Sequence, residues 1–206
     1  MKLARHHRLA LPAALGLSAI AVFDAITHGL TGQWSVFADD SDLPVALAVG
    51  AVVHGLAYAG ALWVLYAERD SIRANRAATV FGWLLVAAFI PLAAGFLLLA
   101  PLHAFGSFEG GYTAIAPVIG VAFGLQFLAA TGLGLSLLRH PQTGVGSRML
   151  AALPLVMGLT ALLALVAPDW AHPAYVETVT IVGVALLGTA TPARRQVPAS
   201  EVAAPV

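Results

Sequence analysis

The chain has 206 residues, of which 60% are hydrophobic and only 10% are charged. Soluble domains carry roughly a quarter of charged residues, so this composition indicates a protein whose main solvent is lipid. The formal net charge is zero, and the absence of cysteine excludes disulfides, thiolate metal sites and a cysteine nucleophile. The few basic residues do not indicate a nucleic-acid partner.

Apolar runs long enough to cross a bilayer follow one another along most of the chain. A spanning helix needs about 20 apolar residues, because the hydrocarbon core is about 30 Å thick and each residue rises about 1.5 Å. The first run follows a basic segment and has no clear small-x-small motif before Asp24, so we expect a retained helix rather than a cleaved signal peptide. The runs cover residues 9–30, 43–67, 79–99, 113–138, 149–167 and 174–191.

Lys and Arg are distributed unevenly among the loops: alternate loops carry them and the others do not. The loops 31–42, 103–112 and 168–173 contain neither Lys nor Arg, which is the positive-inside pattern. It predicts an all-α, polytopic transmembrane bundle of six spans arranged as three hairpins, in the cell (inner) membrane, with both termini cytoplasmic. The last run is short and carries Glu177, but counting it puts every basic residue on one side. These residues are Lys2, Arg5, Arg8, Arg69, Arg73, Arg76, Arg139, Arg148, Arg194 and Arg195.

The chain is predicted to form one domain with the lipid bilayer as its partner. Residues 1–191 are the transmembrane domain, and the Pro- and Ala-rich segment 192–206 is predicted to be a disordered cytoplasmic tail. A GxxxG step at 120–124 and the pair Gly55 and Ala59 would let helix backbones approach closely. Small residues are so abundant that packing within one molecule is favoured over a homo- or hetero-oligomer interface at these faces.

Ionisable side chains inside the predicted spans cluster toward the outer side. Asp24 and His28 lie four residues apart on one face of the first span, and His54 lies nearer the middle of the second. Because neighbouring spans run antiparallel, we expect an outward-facing Asp/His pocket there, while the inner halves of the spans carry no carboxylate or imidazole. A second tier of candidates, toward the same outer side, consists of His103, Glu109, His172 and Glu177.

Several chemistries fit Asp24, His28 and His54. Carboxylate and imidazole ligands suit a copper, zinc or iron ion. Buried acids and imidazoles also relay protons, because desolvation and neighbouring charges set their pKa values. Shared haem ligation is disfavoured, since His28 and His54 differ in depth by roughly 10 Å. The remaining interpretation is that these groups only tie helices together through hydrogen bonds.

The Asp24-x3-His28 pair resembles the pair in the copper-binding subunit of membrane-bound methane and ammonia monooxygenases. In that family a second histidine further along the chain supplies the third ligand. In this chain the next histidine is His54, on another predicted helix, so the resemblance covers five residues and implies a copper ligand set only at Asp24 and His28.

The sequence predicts a small multi-pass membrane protein that binds or transports a metal ion or a proton in the outward-facing pocket. The alternatives are a membrane-embedded metal-dependent enzyme or redox subunit, and a purely structural membrane subunit. No phosphate-binding glycine loop and no HExxH motif occurs, so the sequence assigns no reaction, catalytic residue or particular cofactor.

Overall fold

The computed structural model describes residues 3–38, 42–73, 75–107, 109–140 and 143–189, with residues 109–113 described by their backbone alone. This part of the chain is all-helical and contains no strand. A π-helical segment, Gly95–Leu99, joins α4 to α5, and a 3-10 turn, Pro168–Trp170, precedes α9. The α-helices are α1 Arg5–Thr31, α2 Pro44–Ala67, α3 Arg69–Arg73, α4 Arg76–Ala94, α5 Ala100–Ala104, α6 Glu109–Leu137, α7 Gly144–Ala151, α8 Leu153–Val166 and α9 Ala174–Ala185.

Among the residues that the structure describes, five stretches of helix are long and apolar enough to cross a membrane, which confirms the first five predicted runs as helices. They are Arg5–Thr31, Pro44–Ala67, Arg76–Ala104, Ala114–Leu137 and Gly144–Val166.

The sixth predicted span corresponds to α9, which differs from the other five. α9 has 12 residues and is followed by a turn. At about 1.5 Å per residue it covers about 18 Å, less than the apolar thickness of a bilayer. The sixth span, the three-hairpin arrangement and the orientation of the termini therefore stay predictions. The tail at 192–206 lies outside the described residues.

The helix termini sort onto two ends of the bundle. His6 in the first turn of α1 contacts Glu68, the residue after α2, at 3.0 Å, so these two helices run antiparallel. Asn75, which precedes α4, donates a hydrogen bond to the carbonyl oxygen of Ser136 in the last turn of α6 at 3.0 Å. These contacts and α3 lie at the same end of the bundle. We call it the basic end, because Arg5, the arginines of α3 and Arg76 lie there. The other end is the opposite end.

Helix α9 lies in the middle of the bundle. It contacts α1, α2, α6, α7 and α8, and most of its residues are buried. Apart from Glu177 and its threonines α9 is largely apolar, which is typical of a helix in such a central position. The neighbouring backbone comes very close, since a side chain at Gly146 of α7 would overlap the carbonyl oxygen of Gly183. α9 thereby links the two ends of the bundle.

The predicted small-residue contacts divide into two cases. A Cβ at Gly55 would lie 2.5 Å from Cγ of Leu97, so the expected close packing within the molecule is confirmed there. It is wrong for Gly120 and Gly124, where a Cβ would meet nothing within 4 Å. These two glycines point away from the other helices because α6 turns a different face toward α4 and α7.

Candidate functional site

A pocket of about 450 Å³ opens at the opposite end, between α1, α2 and α9; we call it the outer pocket, after the side on which the sequence predicts it. Its ionisable lining consists of Asp24, His54, His172 and Glu177. Two carboxyl groups and two imidazoles in one cavity make it a candidate cation site. The remaining lining residues are Ile20, Ala21, Trp34, Phe37, Ala38, Gly50, Ala51, Phe96 and Phe123.

Asp24 is held by two donors. Its Oδ2 lies 3.2 Å from Nε2 of His172, and its Oδ1 accepts a hydrogen bond from the backbone N–H of Ser35 at 2.8 Å. Both carboxyl oxygens therefore have partners, as a buried carboxylate requires. The loop after α1 folds back over the helix to supply Ser35, while His172 arrives from the segment before α9.

His172 has a defined tautomer. Its Nδ1 accepts a hydrogen bond from the N–H of Ala174 at 3.1 Å, so the proton of the neutral ring lies on Nε2 and is donated to Asp24. Burial lowers the pKa of His172 below its usual 6.5, and the Asp24 carboxylate partly offsets this. The lower pKa favours the neutral ring, which is the form that lets Nδ1 accept the bond from Ala174.

The pH dependence of stability should report this arrangement. Because the pKa of His172 is lower in the folded protein, the unfolded chain binds more protons, and stability falls as the pH drops below about 6.5. We expect the melting temperature of the wild type to fall more than that of His172→Gln between about pH 7 and pH 5. Equal falls in the two proteins would contradict the buried neutral histidine.

His28 and His54 have other contacts. The ring of His28 packs edge-on against Trp34 with centroids 4.0 Å apart. Nδ1 of His54 lies 2.8 Å from the carbonyl oxygen of Gly50 in its own helix, so this nitrogen donates and Nε2 carries the lone pair. Among the described residues, Asp24, His28 and His54 do not form a group whose ligand atoms all lie within 4.8 Å of one another. A metal site made by these three residues stays a prediction.

The second-tier residues behave differently from one another. Glu177 lines the outer pocket and accepts a hydrogen bond from the Tyr58 hydroxyl. Nε2 of Gln126 donates to the same hydroxyl at 3.3 Å, so a buried polar chain runs from the pocket into the bundle. His103 lies in the last turn of α5 and does not line the outer pocket, while the side chain of Glu109 lies outside the described residues.

A tighter group lies at the basic end and was not predicted from the sequence. Nε2 of His6 is 3.0 Å from Nε2 of His7 and 3.0 Å from Oε1 of Glu68, and Nε2 of His7 is 3.7 Å from Oε1 of Glu68. We call these residues the basic-end triad. In the part of the chain that the structure describes, this is the one group of three such side chains whose ligand atoms all lie within 4.8 Å of one another. The triad could hold a metal ion.

The triad lies just outside the predicted spans 9–30 and 43–67, and its residues are not among the predicted site residues. Helix α1 begins at Arg5 rather than at Leu9, so His6 and His7 belong to the helix instead of to a basic segment before it. The signal in the sequence was a His-His pair at one predicted inner end and Glu68 just past another. Comparison of the chain with known protein families, with curated proteins and with solved structures found no match.

Proposed function

We propose that the chain is an inner-membrane protein of six spans, with both termini cytoplasmic, that binds a divalent transition-metal ion. The observation that carries this proposal is the basic-end triad. Two imidazoles and a carboxylate converge from α1 and from the end of α2, and each offers a ligand atom of the kind that zinc, copper and iron accept.

The spacing of the triad fits a tetrahedral ion. Zinc lies about 2.0–2.2 Å from nitrogen and oxygen ligands, so neighbouring ligand atoms of a tetrahedral site are about 3.3–3.5 Å apart. The atoms of His6, His7 and Glu68 are 3.0, 3.0 and 3.7 Å apart. Changes of a few tenths of an ångström would bring the three interatomic distances into this range.

Supporting contacts orient the triad in the way that metal ligands are usually oriented. Nδ1 of His7 lies 3.0 Å from the carbonyl oxygen of Ala185, so Nδ1 carries the proton and Nε2, which lies 3.0 Å from Nε2 of His6, keeps its lone pair. Glu68 packs directly against Gly188, which has a φ of 85° and where any Cβ would overlap the carboxyl group. The last residue of α9 thus contacts His7, and the turn after α9 packs against Glu68.

The outer pocket is the proposed uptake site on the outward-facing side of the protein. Asp24 and Glu177 are a source of negative charge on the side from which an external cation would enter, and His54 offers an unprotonated Nε2. The pocket would take up a metal ion or a proton. The carboxyl group of Glu177 and the hydroxyl of Tyr58 can each donate or accept, which supports proton uptake as far as Tyr58, while the Gln126 amide only donates a hydrogen bond to that hydroxyl.

A membrane-embedded metal-dependent enzyme is the second candidate. Three protein ligands leave one position of a tetrahedral ion for water or substrate, as catalytic zinc sites do. His6 and Glu68 are each 18% exposed, so this position is accessible from the basic end.

Titration of the purified full-length chain with Zn²⁺ or Co²⁺ tests the proposal. We expect one tight equivalent in the wild type, lost in Glu68→Gln and retained in Asp24→Asn. Loss in Asp24→Asn with retention in Glu68→Gln would move the site to the outer pocket. Absence of stoichiometric binding in the wild type would contradict metal binding altogether.

The proposed topology is tested by reporter fusions. A fusion at Ala171, between α8 and α9, should report an external position, and a fusion after Val206 should report a cytoplasmic one. An external signal at both positions would show that α9 does not span and that the protein has five spans.

A further inference from the structure

A second cavity, of about 390 Å³, lies at the basic end between α2, α3 and α4; we call it the basic-end groove. Its volume falls in the range of about 300–1,000 Å³ that is usual for small-molecule sites. Most of its lining is apolar, and it contains no carboxylate. The lining residues are Leu62, Leu65, Tyr66, Arg69, Ile72, Arg73, Thr79, Gly82, Trp83 and Val86.

The groove exists because α3 folds onto α4. Ile72 is the buried residue of α3, and its Cγ2 lies 3.1 Å from where a Cβ of Gly82 would be. This close approach holds α3 against α4 and places Arg69 and Arg73 at the edge of an otherwise apolar cavity.

The side chain of Arg69 is held in place by Tyr66, and its positive charge is paired only weakly with a carboxylate. Its guanidinium lies 4.5 Å from the centre of the Tyr66 ring, and Nη1 donates to the carbonyl oxygen of Tyr66 at 3.1 Å. The contact of its Nε with Asp70 is long, at 3.9 Å, and the Asp70 side chain is 84% exposed, so this pair is weak in water. Arg73 is exposed beside it. The edge of the groove therefore presents two guanidinium groups to an anion.

Two aromatic side chains mark the groove as an interfacial surface. Tyr66 and Trp83 are 66% and 61% exposed. Such rings are enriched where hydrocarbon meets the headgroup region of a membrane. An occupant with an apolar tail and an anionic head matches both the lining and its edge.

We propose that the basic-end groove binds an anionic phospholipid, with its phosphate on Arg69 and Arg73 and an acyl chain along Leu62 and Val86. A planar guanidinium group binds phosphate through paired hydrogen bonds, so the two arginines suit the phosphate of a lipid head group. The inference rests on the membrane-embedded part of the proposed function and is independent of the metal site.

The test compares lipids carried by the full-length protein in native mass spectrometry after exposure to mixed micelles of phosphatidylglycerol and phosphatidylcholine. We expect phosphatidylglycerol to be retained preferentially, and Arg69→Gln and Arg73→Gln to weaken that preference by about fivefold each. The matched control, Arg139→Gln with Arg148→Gln, removes the same charge at the same end but outside the groove, and it should leave the preference unchanged.

Two further experiments distinguish binding of the whole lipid from binding of its phosphate alone. Val86→Trp narrows the apolar part without changing charge and should also reduce retention, whereas inorganic phosphate at millimolar concentration should not displace the lipid. Equal retention of the two lipids, an equal effect of the control pair, or full displacement by phosphate would overturn the proposal. Zinc binding by the same variants should be unchanged, so failure of the groove is distinguishable from failure of the metal site.

Discussion

Replacing His7 by alanine should weaken binding of the first equivalent of zinc by at least about 100-fold. Loss of a supporting contact to a metal ligand alone typically costs about 10–100-fold, and this variant removes the ligand together with its bond to Ala185. Isothermal titration calorimetry, or competition with a chromophoric chelator, measures the change in affinity.

The matched control is His140→Ala, which removes an imidazole near the basic end but outside the triad. Its zinc affinity should equal that of the wild type. Because His7 is buried, Glu68→Gln provides a second variant that preserves side-chain shape, and both should elute as the wild type does on size exclusion. Equal affinities for the wild type, His7→Ala and Glu68→Gln would exclude the triad as the site.

Replacing Tyr58 by phenylalanine should lower the free energy of unfolding by about 1–3 kcal/mol. The hydroxyl donates to the buried Glu177 carboxyl group and accepts from Gln126, so its removal leaves two buried polar groups each short of a partner. Reversible unfolding in mixed detergent micelles measures the loss.

Tyr66→Phe is the control for this prediction. Tyr66 is exposed, and phenylalanine keeps the ring on which Arg69 lies, so its free energy of unfolding should change little. If Tyr58→Phe were as stable as Tyr66→Phe, the polar chain at the centre of the bundle would contribute nothing measurable to stability.

The helices could be predicted from the sequence because the signals for them are local. Apolar length locates five spans, and loop charge sorts their ends, since both depend on neighbouring residues. α9 could not be predicted in the same way. Its run is apolar, but its short helix and its place among α1, α2, α6, α7 and α8 follow from packing between distant segments.

The outer pocket was predicted in part. The sequence places Asp24 as an ionisable side chain inside a predicted span, and it does lie in a pocket with His54. Its actual partner, His172, comes from a segment 148 positions later, so the pairing depends on how that segment folds back over α1. The basic-end triad shows the same limit, because His6 and Glu68 lie 62 positions apart and meet only through the register of α1 against α2.

The most direct test of the metal proposal is X-ray absorption at the zinc edge on the full-length protein loaded with one equivalent of zinc. The triad predicts about four nitrogen or oxygen neighbours at about 2.0–2.2 Å, with the outer-shell scattering of two imidazoles. One imidazole should disappear in His7→Ala. A zinc ion without imidazole scattering in the wild type, or an unchanged spectrum in His7→Ala, would contradict the proposal.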